Sequence, residues 1–428
     1  MTLLLICFVV FLVMGMPIAF VIGIAGFAYF FSSPYLNFQT ATQMIVAQSQ
    51  SFAFLAVPFF IFAGNLMNVS GITKRLLSLA RLVTRRMYGG TAQISVVMST
   101  LMGGVSGSAT ADAAMETRIL GPEMMRIGYN KGYICAVNCI TALITATIPP
   151  SLGLIIFGFV GEVSIGRLFA AGLIPGILMM FFLMATTTIT CRVKKYDPPN
   201  KEAPPLSFKE IGENLKESIW ALLFPIILIV GIRFGVFTPS ESGAFAVIYS
   251  ILIGKFIYKE LNWENFKDAL ITTLKDNGAI MLIIAMSGPF SYALTWVKLP
   301  VALSQIIFGI TDNPQALVLI MLGFLFITGM FVDSNVNFLL LTPIFLPMVK
   351  EVGIDPVHFG VLMATVVTLG VMTPPIGSAL YTVCGIIKCP PEQYTKEALP
   401  FLFAVLLELA ILVFLPDVVL WIPNMVFG

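Results

Sequence analysis

Residues 103–112 read GGVSGSATAD, and residues 328–337 read TGMFVDSNVN. Each is a short polar turn set inside an apolar run. The apolar arms on either side, 91–102 and 113–125 in the first case and 315–327 and 338–349 in the second, are mostly too short to cross a bilayer whose apolar core is about 30 Å thick. Each unit therefore reads as a re-entrant helical hairpin with its polar tip inside the membrane, the competing reading being a surface loop between ordinary spans.

The two turns are related by a shift of 225 residues. At that shift, without a gap between 104 and 175, Gly104 falls on Gly329, Thr117 on Thr342, Ile119 on Ile344, Pro122 on Pro347 and Gly128 on Gly353. Pro149 and Pro150 fall on Pro374 and Pro375, and Pro175 on Pro400. Six of these eight identities are Gly or Pro, the residues that set backbone breaks. Asp112 also meets Asn337, Thr110 meets Asn335 and Asn130 meets Asp355. Repeats interrupted by Gly and Pro at matching places point to the binding site of a secondary transporter.

A second break recurs in each half. IPPS at 148–151 interrupts the apolar run 132–160, and TPPIGS at 373–378 interrupts 356–387. Two adjacent prolines remove two N–H donors and obstruct the carbonyls before them, so the helix opens there. In lipid, freed backbone groups need partners. Each hairpin tip facing the Pro-Pro break of its own half would enclose a cage of carbonyl, Ser, Thr and Asn oxygens. Such hard neutral ligands suit Na⁺, while Asp112 and Asp333 keep a proton-coupled carrier open. The helix ends between the tips suit a carboxylate solute.

Composition agrees. Of 428 residues, 58% are hydrophobic and only 11% charged, with mean hydropathy +0.96, against about 25% charged residues in soluble domains. The polar surface needed by a soluble particle of this size is missing, so lipid is the solvent. No basic cluster interleaved with aromatics suggests nucleic acid. No charged residue precedes Lys74, so Met1–Phe31 reads as an uncleaved membrane segment bent at Gly15 and Pro17, not as a secretory leader. Further apolar stretches lie near 52–69, 168–191, 217–236, 241–258, 277–297, 315–330 and 399–424. Residues 74–88 and 259–276 read as amphipathic interfacial helices, and the polar, Pro-rich 192–216 as the connection between halves. Cys135 and Cys139, one helical turn apart, read as packing residues, and the single histidine, His358, as structural. A passive anion channel would need a continuous polar pore. A hydrolase would need a base near Ser106 or Ser108, and no His or Lys is close in sequence.

GGVSGSATADAA (103–114), GPEMMRIGYNKGY (121–133), IPPS (148–151), FTPSESGAFAVIY (237–249), DSNVNFLLLTPIFLP (333–347) and TPPIG (373–377) resemble the large membrane subunit of tripartite ATP-independent periplasmic (TRAP) transporters, within it most of all the sialic-acid branch. The resemblance covers essentially the whole chain. It implies an all-α polytopic protein of the bacterial cytoplasmic membrane, built as an inverted-repeat, elevator-type transporter with two re-entrant hairpins and two broken helices. The divisions would be scaffold and first arm (1–88), first transport half (89–191), cytoplasmic linker (192–216), scaffold and second arm (217–276) and second transport half (277–428). The resemblance further implies Na⁺ symport of an organic acid, sialic acid first and C4-dicarboxylates next. It implies no other cofactor or metal, and two partners: a small four-helix membrane subunit and a periplasmic substrate-binding protein. One Na⁺ site would use Ser106, Gly107, Ser108 and the carbonyls around Ile148 and Pro149; the other would use Asp333, Ser334, Asn335 and those around Thr373 and Pro374. Ser108, Thr110, Asp333 and Asn335 would hold the substrate. Glu116-Thr117-Arg118 departs from the expected pattern, placing two charges that would face a cytoplasmic vestibule.

Overall fold

The computed structural model describes residues 2–50, 52–199, 207–311 and 313–428. Among these every regular element is a helix. Among the described residues six helices are long and apolar enough to cross a membrane, and up to eight if each bent pair counts once. Many large apolar side chains stay exposed on the helix surfaces, such as Phe181 and Phe403, as lipid contact requires.

The repeat is visible in the helix starts. Gly90–Gly103, Ala109–Ile127, Lys131–Thr141, Leu152–Val160 and Ile165–Lys194 begin within one residue of the positions that a 225-residue shift gives for Pro314–Phe331, Ser334–Glu351, Pro356–Gly370, Ser378–Ile387 and Pro391–Phe414. The same shift carries the amphipathic helix Ile72–Thr84 onto Leu299–Phe308, not onto 259–276.

Residues 259–276 are instead mostly the first part of a single 34-residue helix, Trp263–Trp296. The division expected at 276/277 falls inside it. This helix packs on Ile18–Ser32, Phe38–Ser49 and Ala56–Val69. Asn262 caps its first turn by accepting from Asn265 N–H at 2.8 Å. Gly278 stands just past the expected division, but one glycine costs a helix interior only about 1 kcal/mol, and with the packing on three helices the amphipathic and apolar parts share one axis.

Other boundaries moved for local reasons. The first 31 residues form Thr2–Val13 and Ile18–Ser32, separated where Gly15 takes φ +75°, the bend expected at Gly15 and Pro17. Phe38–Ser49, between the apolar stretches 2–31 and 52–69, is a helix capped by Asn37. The connection 192–216 shrinks, because Ser207 caps a helix running Phe208–Arg233; its part at 200–206 lies outside the described residues. The apolar run 399–424 belongs to two helices, Pro391–Phe414 and Pro416–Phe427, divided where Pro416 has no N–H to continue the first. The hairpin arms, at 14, 19, 18 and 18 residues, are longer than expected. At 1.5 Å per residue only the first is clearly short of a bilayer.

The amphipathic helix buries Ile72, Leu76 and Ala80 on one face. Its basic face is pinned by ion pairs: Arg75 to Glu260 at 2.6 Å, Arg81 to Glu123 at 2.6 Å and Arg85 to Glu210 at 2.8 Å. Arg75 also lies over the Tyr258 ring. His358 is structural, its Nε2 bonded to the Leu412 carbonyl at 2.8 Å.

Candidate functional site

Each polar turn is built by capping. In the first, Gly107 takes φ +65°, a left-handed conformation that costs other residues about 1–2 kcal/mol. A Cβ there would also run into the Pro150 carbonyl. Ser108 then caps Ala109–Ile127, its side chain accepting from Ala111 N–H, while Ser106 Oγ accepts from Ser108 N–H at 3.3 Å. In the second turn Asp333 caps Ser334–Glu351 by accepting from Asn335 N–H at 2.9 Å. Asn337, the repeat partner of Asp112, donates to the carbonyls of Val332 and Asp333 at 3.0 and 3.2 Å.

Each Pro-Pro break joins its own hairpin through one backbone hydrogen bond. Leu152 N–H donates to Gly107 O at 3.4 Å, and Ile376 N–H donates to Met330 O at 3.2 Å. Gly329 and Gly370 let the second hairpin and second broken helix touch, since a Cβ on Gly329 would sit 2.7 Å from Val367 O. The tips thus lie at the depth of the breaks, inside the layer crossed by the broken helices. The re-entrant reading rests on this junction and not on arm length.

The two tips meet around one cavity. An inner chamber of about 90 Å³ lies between Gly107–Thr110, Asp333–Asn335 and the first break, with Thr368 behind it. It adjoins a wider space of about 500 Å³ whose far wall carries Asn65, Asn68 and Asp276. Ser108, Thr110, Asp333 and Asn335 line both spaces, and Ser106 the wider one. Ile148, Pro149, Thr373 and Pro374 line neither space and sit behind the tips. Among the described residues nothing donates to the carbonyls of Ile148, Pro149 or Pro374, whereas Thr373 O already accepts from Gly377 N–H at 3.2 Å. The halves differ: the first break is buried throughout, while Pro375 and Ile376 of the second are exposed. Among the described residues no Lys, Arg or His lines either space.

Two acidic residues clarify the first hairpin. Asp112 is wholly buried; neither carboxylate oxygen makes a hydrogen bond of good geometry among the described residues, and the Ser106 and Thr145 side chains lie near it. Glu116, one turn on, does not face a vestibule: it is 1% exposed and accepts from Ser95 Oγ at 2.6 Å and Ser99 Oγ at 2.9 Å. Arg118 alone of that pair is exposed. Sequence reasoning left out Asn65, Asn68 and Asp276 because they belong to helices far from the tips in sequence. A lone carboxylate ahead of an apolar run was the available signal for Asp276.

Residues 5–418 match the DctM component of the tripartite ATP-independent periplasmic transporters. A putative TRAP transporter large permease of Haemophilus influenzae is 33% identical over 412 residues, covering 96% of this chain and 95% of the relative. The 2,3-diketo-L-gulonate permease YiaN of Escherichia coli is 32% identical over 95% of each. The sialic acid permease SiaM of Vibrio cholerae is 33% identical over 97% of this chain and 96% of its own length. The fold is also similar to that of the YdaH transporter of Alcanivorax borkumensis, with TM-score 0.58 over 87% of each chain at 16% identity. The protein is accordingly a multi-pass transporter permease of the bacterial inner membrane, not an enzyme. The chain belongs to the DctM family, the large membrane subunits of TRAP transporters.

Proposed function

We propose that this subunit imports a polyhydroxylated organic acid by Na⁺ symport, receiving it from a periplasmic binding protein and working beside a small membrane subunit. The observation that carries this reading is the convergence of both tips and the first break on one cavity rich in hydroxyl, amide and carboxylate oxygen and without a cationic side chain. An anion entering such a space needs positive charge brought with it, and Na⁺ in oxygen cages at the tips supplies it. Ser106, Gly107, Ser108 and the free carbonyls of Ile148 and Pro149 form the first cage, with Asp112 behind it as the charge. Asp333, Ser334, Asn335 and the Pro374 carbonyl form the second. Ser108, Thr110, Asp333 and Asn335 hold the solute between them.

The many hydroxyl and amide groups favour a sugar acid over a C4-dicarboxylate, and the relatives named for sialic acid and diketogulonate accord with it. Movement of both hairpins and broken helices as one body past the scaffold, in the manner of an elevator, suits their mutual packing. Two Na⁺ per monovalent anion makes each cycle electrogenic, each charge gaining roughly 2.3 kcal/mol per 100 mV.

The test is uptake into proteoliposomes holding both membrane subunits, with the cognate binding protein outside. Uptake of a sialic acid that collapses without a Na⁺ gradient supports the reading; uptake indifferent to Na⁺ overturns it. Buried Asp112 and Glu116 favour one alternative, a proton-coupled carrier, which a pH gradient alone would drive.

A further inference from the structure

We infer that Cys135, Cys384 and Cys389 form a binding site for Zn²⁺. The three residues come from opposite halves of the repeat, Cys135 from helix Lys131–Thr141 and the others from the end of helix Ser378–Ile387 and the residues just after it. Their sulfurs all lie within 4.8 Å of one another and all three side chains are buried. A tetrahedral zinc with bonds of about 2.3 Å holds its sulfurs roughly 3.8 Å apart, so a contraction of no more than about 1 Å completes the site. Three thiols at this separation are a soft-donor set, which selects Zn²⁺ over the hard cations of the transport cavity.

The surroundings supply what the ion lacks. Gln393 Oε1 lies 3.9 Å from Cys389 Sγ, and Gln393 is exposed, which offers an oxygen or a water for the fourth position. Zn²⁺ binding releases one proton from each thiol and leaves a complex of net charge −1. Lys131, exposed and within electrostatic reach of Cys389, offsets that charge.

Packing alone does not require thiols here. At the 225-residue shift the positions of Cys135, Cys384 and Cys389 are held by Gly360, Phe159 and Ser164. There the space at Gly360 is filled by the Phe157 ring and the Leu168 side chain. One half thus closes this contact with apolar side chains and the other with three sulfurs. A bound ion would tie the two broken helices to each other, away from the transport cavity.

The test is metal retention by the purified full-length chain in detergent. After exposure to Zn²⁺ and gel filtration against a weak chelator, we expect about one zinc per chain, and with Co²⁺ in its place a sulfur-to-cobalt charge-transfer band in the near ultraviolet. Cys384→Ser and Cys389→Ser should each lower retention at least tenfold, while Cys139→Ser and Cys191→Ser leave it unchanged. If a variant does not fold, the native chain still decides: Zn²⁺ should protect Cys389 from alkylation, read by mass spectrometry. No retained zinc, retention in C384S and C389S as high as in the native chain, or unprotected Cys389 would each overturn the site.

Discussion

The Leu152 amide donates to the Gly107 carbonyl at 3.4 Å, so the first Pro-Pro break is tied to the tip of its own hairpin. The second half repeats the tie with Ile376 and Met330 at 3.2 Å. A change at either tip therefore disturbs a broken helix as well.

Gly107→Ala tests that tie most directly. Alanine at φ +65° costs about 1–2 kcal/mol, and its methyl would press on the Pro150 carbonyl. Uptake should fall at least tenfold, with the Na⁺ concentration for half-maximal rate raised. Wild-type Na⁺ dependence in proteoliposomes would refute the first cage.

Asp112→Asn keeps the side chain's shape and removes its charge. Because the carboxylate is buried and neither oxygen is held by a hydrogen bond of good geometry, we expect at least a tenfold loss of apparent Na⁺ affinity with the chain still folded. A Na⁺ titration of uptake separates this from lost expression. Unchanged affinity would show that Asp112 is not the charge of the first cage.

Asn65→Ala and Asp276→Asn act on the far wall of the cavity. Both should alter KM for the solute while leaving the Na⁺ dependence intact. Asn65 Nδ2 also donates to Thr273 at 3.0 Å, so its removal should cost about 0.5–1.5 kcal/mol of stability, visible as a lowered melting temperature. Equal shifts in Na⁺ and solute dependence would contradict a wall that touches the solute alone.

Glu260, in the loop before helix Trp263–Trp296, sets a pH dependence. Burial works against its charge, but the hydrogen bond and charge of Arg75, with Lys74 beside it, hold its carboxyl below the usual carboxylate range. A depressed folded value means that its stabilisation is present above the unfolded value, about 4.3, and is lost as pH falls through the folded one. The melting temperature should therefore drop on acidification through that range, and Glu260→Gln should start lower at neutral pH and show a shallower acid limb. Parallel limbs would count against the pair.

The helix starts were largely legible because Gly and Pro mark them, and the 225-residue register put five of them within a residue of their counterparts. The tips were legible for the same reason, since Ser108 and Asp333 are capping residues beside apolar runs. What escaped was long-range. The continuity of Trp263–Trp296 depends on packing against helices about two hundred residues earlier, and no local signal marks it. Asp276 and Asn65 reach the cavity only through that packing. Glu116 looked like an exposed charge because Ser95 and Ser99, which bind it, stand on the other arm of the hairpin. Cys135 was read against Cys139, its neighbour on the helix, when the sulfurs beside it come from 249 and 254 positions away.

The absence of cationic side chains around the cavity, among the described residues, has an electrical consequence for the return stroke of the proposed cycle. In the proposed cycle, with the ion sites empty, whatever charge Asp112 and Asp333 carry on the moving body is a negative charge in the membrane field. An inside-negative potential then pushes it outward, by roughly 2.3 kcal/mol per charge per 100 mV. The voltage that draws the loaded carrier in would thus also reset the unloaded one, so resetting would quicken with membrane potential even in the absence of solute.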